Sequence, residues 1–226
     1  MNRLDSLIRN RHKGETAILI ANGPSLNKTD FKLIRGRITI GLNKIFLGFS
    51  KFRFYPTYYV AVNEFVLRQS VRQISDLNCV KFLSNKAKDL YKEDALTYLF
   101  HTESRPGRFS FALTHGLDEG WTVTYAALQI AYYMGIQKVV IVGLDHRYVF
   151  QGQPNETNLL VGADPNHFSK DYFADQKWDN PDLTHSEDSF RLAREVFEAD
   201  GRQVIDATIG GACNIFSKKR LEDCLT

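Results

Sequence analysis

The sequence predicts an α/β fold, a Rossmann-like and mostly parallel sheet with helices on both faces and a long lid-like insertion. Three observations carry that prediction. Short apolar, β-branched runs alternate with helical stretches from residue 15 onward. Residues 138–142 (KVVIV) are apolar at nearly every position, as a central strand covered on both faces must be. An asparagine follows four successive strand patterns, at the edge where open parallel sheets take ligands.

The strands are expected at 17–21 (AILIA), 38–42, 57–62, 79–84, 98–101, 138–142 and 203–206. Two helices matter most. Residues 122–134 (TVTYAALQIAYYM) are apolar around most of the circumference, which marks a helix packed deep against the sheet and ended by Gly135. The second spans about 184–199, with Phe190, Ala193, Val196 and Phe197 at helical spacing and Gly201 as its stop. Its opening, Thr184-His185-Ser186-Glu187, reads as a capping box.

Two segments stand apart from this core. Residues 1–14 form a basic arm, because Arg3, Arg9, Arg11 and Lys13 against Asp5 account for the whole net charge of +3. Leu4, Leu7 and Ile8 between those charges suit a short amphipathic helix, able to make weak contact with an anionic membrane surface or a partner. Residues 150–183, rich in Gly, Pro, Asn and Asp, far exceed the usual loop of about 4–6 residues. Phe168, Tyr172, Phe173 and Trp178 within them argue for an ordered lid over a single nucleotide-binding transferase domain at 15–226.

Composition removes several classes of function. Residues 15–226 carry no net charge and so no field for nucleic acid. Runs of about 18 apolar residues are absent, and so is the apolar core of a signal peptide. Three scattered cysteines, Cys79, Cys213 and Cys224, fit a reducing compartment, so a cytoplasmic location is expected. The aromatic content of 12% permits a homo-oligomer.

Candidate site residues are those at the carboxyl ends of the strands: Asn22, Asn43, Asn63 and Asn85, then Gly143, Asp145, His146, Arg147 and Tyr148 after the central strand. Carboxamides read base edges, ribose hydroxyls and phosphate oxygens without charge. In Asn22-Gly23-Pro24-Ser25, Gly23 allows close backbone approach, Pro24 holds the turn, and Ser25 can cap a helix or donate to an oxygen. Neither a GxGxxG fingerprint nor a GxxxxGK[ST] loop is present, and no GxSxG elbow supports serine hydrolysis. His185 is the candidate general base, since a helix N-terminus favours neutral imidazole. Arg147 and Tyr148 could steady a phosphate. Asp145, His146, Asp164 and His167 match no metal-ligand spacing, so no metal site is expected.

Residues 18–26 (ILIANGPSL), 122–145 and the Thr184-His185-Ser186 helix start resemble bacterial sialyltransferases that use a CMP-activated nonulosonate. They are also similar to the hydroxymethylpterin diphosphokinase-like family, which includes flagellin-modifying glycosyltransferases. That resemblance implies a nucleotide-sugar-dependent glycosyltransferase in surface glycan assembly, using a CMP-type donor and a glycan acceptor. Asn22, Gly23 and Ser25 would contact the donor, Asn43, Asn63 and Thr122 would line the same cleft, and His185 would be the general base. Where the sialyltransferases carry Thr-Ser-Gly this chain has Thr122-Val123-Thr124, and Arg147 stands where they have a tyrosine. The other branch implies pyrophosphoryl transfer from ATP, with Mg²⁺ held through Asp145 and Asp164. A non-catalytic nucleotide-binding module is the third possibility.

Overall fold

The computed structural model describes residues 3–225, so the first two residues of the basic arm lie outside the described residues. Twelve strands occur among them: β1 (Thr16–Ile20), β2 (Ile38–Leu42), β3 (Tyr58–Ala61), β4 (Val80–Ser84), β5 (Thr97–Phe100), β6 (Thr102–Glu103), β7 (Leu117–Asp118), β8 (Lys138–Val142), β9 (Thr157–Leu160), β10 (Gln176–Asp179), β11 (Gln203–Asp206) and β12 (Ser217–Lys218). Eight of these form one sheet in the order β12-β11-β8-β1-β2-β3-β4-β5. Every pairing in it is parallel.

The side-chain period of two in each strand builds a core on either face. Ala17 and Leu19 of β1, with Val139 and Ile141 of β8, point into one cluster, while Ile18, Ile20, Val140 and Val142 point into the other. All eight are essentially fully buried. Burying each of the larger ones is worth about 1.5–3 kcal/mol. The α-helices are α1 (Arg3–Leu7), α2 (Phe49–Phe52), α3 (Glu64–Gln69), α4 (Val71–Ser75), α5 (Val123–Tyr133), α6 (Leu183–Ala199) and α7 (Leu221–Cys224). Residues of α5 and α6 fill the first cluster, and those of α3, α4 and α7 fill the second. None of these helices is long and apolar enough to cross a membrane.

The basic arm is part of this packing. Leu4 and Ile8 are buried in the first core, so most of the arm's apolar face is turned inward and Leu7 stays exposed. The arm also answers a backbone requirement, because the last carbonyls of a helix lack partners within it. Backbone N–H groups of Asn10, His12 and Gly14 donate to the carbonyls of Tyr133, Met134 and Gly135 at 2.8–3.0 Å. Gly135 has φ +80°, and a Cβ there would stand 3.0 Å from Lys13 Cα, so its smallness lets the arm close over the end of α5.

The expected start of α6 needs correction. Asp182, rather than Thr184, is the cap, its side chain accepting from the His185 amide. Glu187, expected to complete a capping box, instead bonds Nε2 of His146 at 3.1 Å and Arg191 at 2.9 Å. The segment at 150–183 contains the antiparallel pair β9–β10, which its turn-rich composition concealed. Phe168, Tyr172, Phe173 and Trp178 from it are buried in the second core.

Candidate active site at the switch point of the sheet

Strand β1 pairs with β2 on one side and β8 on the other, so the connections leaving β1 and β8 diverge at their carboxyl ends. Open parallel sheets form their ligand crevice at such a point. A cavity of about 90 Å³ lies there, and a second of about 300 Å³ extends from it under the 150–183 segment. Asn43, Thr122, Tyr148 and His167 line both.

Most of the sequence-derived candidates meet here. Asn22, Gly23, Gly143, Asp145, His146 and Arg147 line the first cavity. Two glycines permit its shape. A Cβ on Gly23 would fall 1.9 Å from Asp145 Oδ2, and one on Gly143, where φ is +77°, would fall 2.7 Å from Leu26. Asn43, Trp121 and His146, all non-glycine residues on the wall, have φ between +44° and +58°. Left-handed backbone costs about 1–3 kcal/mol per residue and tends to gather where function demands it.

Several residues expected to contact ligand also make bonds that support the site. Ser25 donates Oγ–H to Asp145 Oδ2 at 2.6 Å and its N–H to Oδ1 at 3.1 Å, so its hydroxyl proton is not free for a donor oxygen. Pro24 opens the 3₁₀ turn that carries Ser25. Asn63 caps α3 through Oδ1 and lines only the second cavity. Thr122 caps α5 by accepting from the Thr124 amide at 3.3 Å. Asn85 lies in the short turn Asn85–Ala87 and reaches neither cavity.

Other carboxamides keep an open valence. Asn22 donates to the Leu42 carbonyl at 3.0 Å, and its buried Oδ1 has no partner. Asn43 Oδ1 and Asn180 Oδ1 are likewise buried without partners. A buried acceptor left unpaired costs about 1–3 kcal/mol.

Two imidazoles are each held by a carboxylate three residues earlier. His185 Nδ1 bonds Asp182 Oδ2 at 2.8 Å, and its ring stacks on Trp121 with centroids 4.4 Å apart. His185 is half exposed and lines neither cavity itself, while Trp121 beneath its ring lines both and its neighbours Asp182 and Ser186 line the second and first. Burial pushes the Asp182 carboxyl up, but bonds from the His185 amide and imidazole and from Asn155 outweigh it and hold it below the usual range. His167 Nδ1 bonds Asp164 Oδ2 at 2.8 Å, with its ring flat against Tyr172 at 3.8 Å. Asp164 is treated the same way, burial opposed by the His167 bond and charge and by the Asn166 and Phe173 amides, with a net lowering.

Trp121 and Asp182 were not among the expected site residues, and Asp164 and His167 were weighed only as ligands of a metal. A signal was present, since Asp164-Pro-Asn-His167 and Asp182-Leu-Thr-His185 share one Asp-x-x-His spacing. Arg147 is exposed at the mouth and makes no ion pair among the described residues. Tyr148 keeps about a third of its surface in solvent, and its phenol is pushed up to about 12 by burial first and by the Asp145 and Asp164 charges second.

The first 150 residues, which carry the switch point, decide the family. A family model described as 6-hydroxymethylpterin diphosphokinase MptE-like matches residues 1–150. The chain belongs to this MptE-like family. A solved structure of the MAf glycosyltransferase from Magnetospirillum magneticum AMB-1 shares the fold, with a TM-score of 0.59 and 12% identity over 95% of this chain. This MptE-like chain spans 35% of that longer protein. No curated protein matches the sequence.

The Mg²⁺ that a diphosphokinase would use would meet two carboxylates that already accept hydrogen bonds. Asp145 is occupied by Ser25, and Asp164 by His167, Asn166 and Phe173. Among the described residues no three His, Cys, Asp or Glu side chains gather as a cation site.

Proposed function

We propose that this MptE-like protein is a glycosyltransferase that binds a nucleotide-activated sugar at the switch point and passes the sugar to an acceptor hydroxyl delivered at His185. The observation that carries the reading is a carboxylate-oriented imidazole stacked on Trp121, a residue that lines both cavities. Because Asp182 accepts the Nδ1 proton, the neutral ring keeps its Nε2 lone pair for a substrate. As the acceptor oxygen bonds the anomeric carbon, its proton passes to Nε2 of His185. The bond from that carbon to the phosphate oxygen breaks, and the nucleotide leaves with the electron pair.

Arg147 at the mouth and Tyr148 at the junction of the two cavities supply the cation and the donor that a leaving phosphate needs. A cytidine nucleotide suits Asn22, because the exocyclic amine of cytosine donates where Oδ1 accepts. The role expected from the sequence is surface glycan assembly, with a glycan as acceptor. The family description supports a second reading, diphosphoryl transfer to a pterin alcohol, whose ring edge would also donate to the asparagines. The carboxylate-bound imidazole of His185 favours the first.

The test is release of nucleotide from CMP-, UDP- and GDP-linked sugars, followed by chromatography with wild type and His185→Ala. Release from at least one donor, lost in the variant, supports the reading. Release from none, together with Mg²⁺-dependent consumption of ATP in the presence of a pterin alcohol, would replace it.

A further inference from the structure

The proposed function leaves one imidazole of the crevice without a task. His167 lines both cavities, at the place where Asn43, Thr122 and Tyr148 join them into one space. His185, by contrast, lines neither.

The His167 ring is fixed on all sides but one. Nδ1 bonds Asp164 Oδ2 at 2.8 Å, and that carboxylate, which has no exposed surface, is itself held by the amides of Asn166 and Phe173 at 2.8 and 3.1 Å. The ring lies flat on Tyr172, and Phe173 meets it edge-on with centroids 5.5 Å apart. Asp164 is held below the usual carboxylate range and stays an acceptor at neutral pH, so in the neutral ring Nδ1 carries the proton and Nε2 keeps its lone pair. Nε2 has no hydrogen-bond partner among the described residues, yet it is not one of their buried unpartnered atoms. It therefore has surface of its own, within the 11% of the side chain that stays exposed and on a residue that lines both cavities.

A lone pair presented in this way needs a proton donor from the ligand. An ionised phosphate has none to give, whereas a nucleotide-linked sugar carries hydroxyls on its ribose and on the sugar itself. We infer that His167 is a binding residue of the crevice, accepting a hydrogen bond at Nε2 from a hydroxyl of the ligand. This deepens the proposed function, and rests on that reading only for the ligand's being a nucleotide-linked sugar. A histidine serving solely to tether the lid would use Nδ1 and the ring face and leave Nε2 idle.

Asparagine separates the two roles of this position, since its amide keeps an N–H for Asp164 and places nothing where Nε2 stands. The full chain is treated with diethylpyrocarbonate, which acylates imidazole nitrogens that keep a free lone pair. The reaction is run alone and with CMP, dideoxy-CMP, CMP-N-acetylneuraminate or UDP-N-acetylglucosamine, and peptide mass spectrometry locates the modified histidines. His167 should be modified in the free chain and protected by at least one hydroxyl-bearing ligand. Calorimetry with that ligand should show His167→Asn binding about threefold to tenfold more weakly, with a thermal midpoint near that of wild type. Protection by CMP but not by dideoxy-CMP assigns the hydroxyl to ribose, and protection by the sugar nucleotides alone assigns it to the sugar. Four results would each overturn the inference: an unmodified His167 in the free chain, protection by no ligand, protection by dideoxy-CMP as full as by any hydroxyl-bearing ligand, or unchanged affinity in His167→Asn. Failure of the transferase reading shows separately, as absent nucleotide release with His167 still protected.

Discussion

Asp182 Oδ2 lies 2.8 Å from His185 Nδ1, while Oδ1 of the same carboxylate accepts the His185 backbone N–H at 3.1 Å. One side chain therefore starts the helix and sets the tautomer of the proposed base. Asparagine caps helices about as well as aspartate, but its amide would donate to Nδ1 and move the ring proton to Nε2. Asp182→Asn should keep the thermal midpoint near that of wild type and lower kcat by roughly 10²–10⁴-fold, with nucleotide affinity retained. Steady-state kinetics beside calorimetry checks this, and an unchanged kcat would remove His185 from the chemistry.

Gly23 allows Asp145 to reach the backbone N–H of Ser25 in the turn that follows β1. With a Cβ 1.9 Å from Asp145 Oδ2, Gly23→Ala must displace the carboxylate and the Ser25 bonds it holds. Overpacking of this kind costs about 1–3 kcal/mol. Denaturant unfolding should show that loss, and calorimetry should show weakened nucleotide binding. Full retention of both would mean that the turn has slack which the geometry does not suggest.

Lys44 ties the lid down from beneath. Only 3% exposed, it donates to the Tyr172 carbonyl, Gln69 and Gln176 at 2.7–2.9 Å. Burial lowers it from its ordinary 10.5 to about 8, against an upward pull from Asp164. Between those values the unfolded chain holds the extra proton, so stability rises with pH across that window by up to about 1.4 kcal/mol per unit. Lys44→Met should flatten that rise when unfolding is measured from pH 7.5 to 10.5. On the acid side stability also rises with pH. Asp164 and Asp182 are lowered, so their contribution is full above the ordinary aspartate value and is lost as pH falls through their folded values.

Arg147, exposed and unpaired, separates binding from folding. Arg147→Ala should leave stability within about 0.5 kcal/mol of wild type and weaken nucleotide binding by about tenfold. Equal affinity in a salt-matched titration would place the phosphate elsewhere.

The parts of this fold legible in the sequence are those fixed by local pattern. KVVIV announced β8, and the apolar circumference of 122–134 announced α5, whose observed span is Val123–Tyr133. Asn22-Gly23 and Gly143-Leu144-Asp145 fall at the switch point because a strand's end is itself a local feature. What escaped depends on partners distant in the chain. Ser25 and Asp145 are 120 residues apart, so nothing near Ser25 says that its hydroxyl is occupied. Leu4 and Ile8 look amphipathic alone, and only the end of α5 turns them inward. His167 acquires its setting from Asp164 nearby and Tyr172 beneath it, within a segment whose composition resembles a loose loop.

The most direct measurement is calorimetric titration of the wild-type chain and Asn22→Ala with CMP, CDP, UDP and ATP, each with and without Mg²⁺. The account predicts metal-independent binding of a pyrimidine nucleotide, weakened at least about tenfold when the unpartnered Asn22 carbonyl is removed. Binding of ATP alone, and only with Mg²⁺, would contradict it.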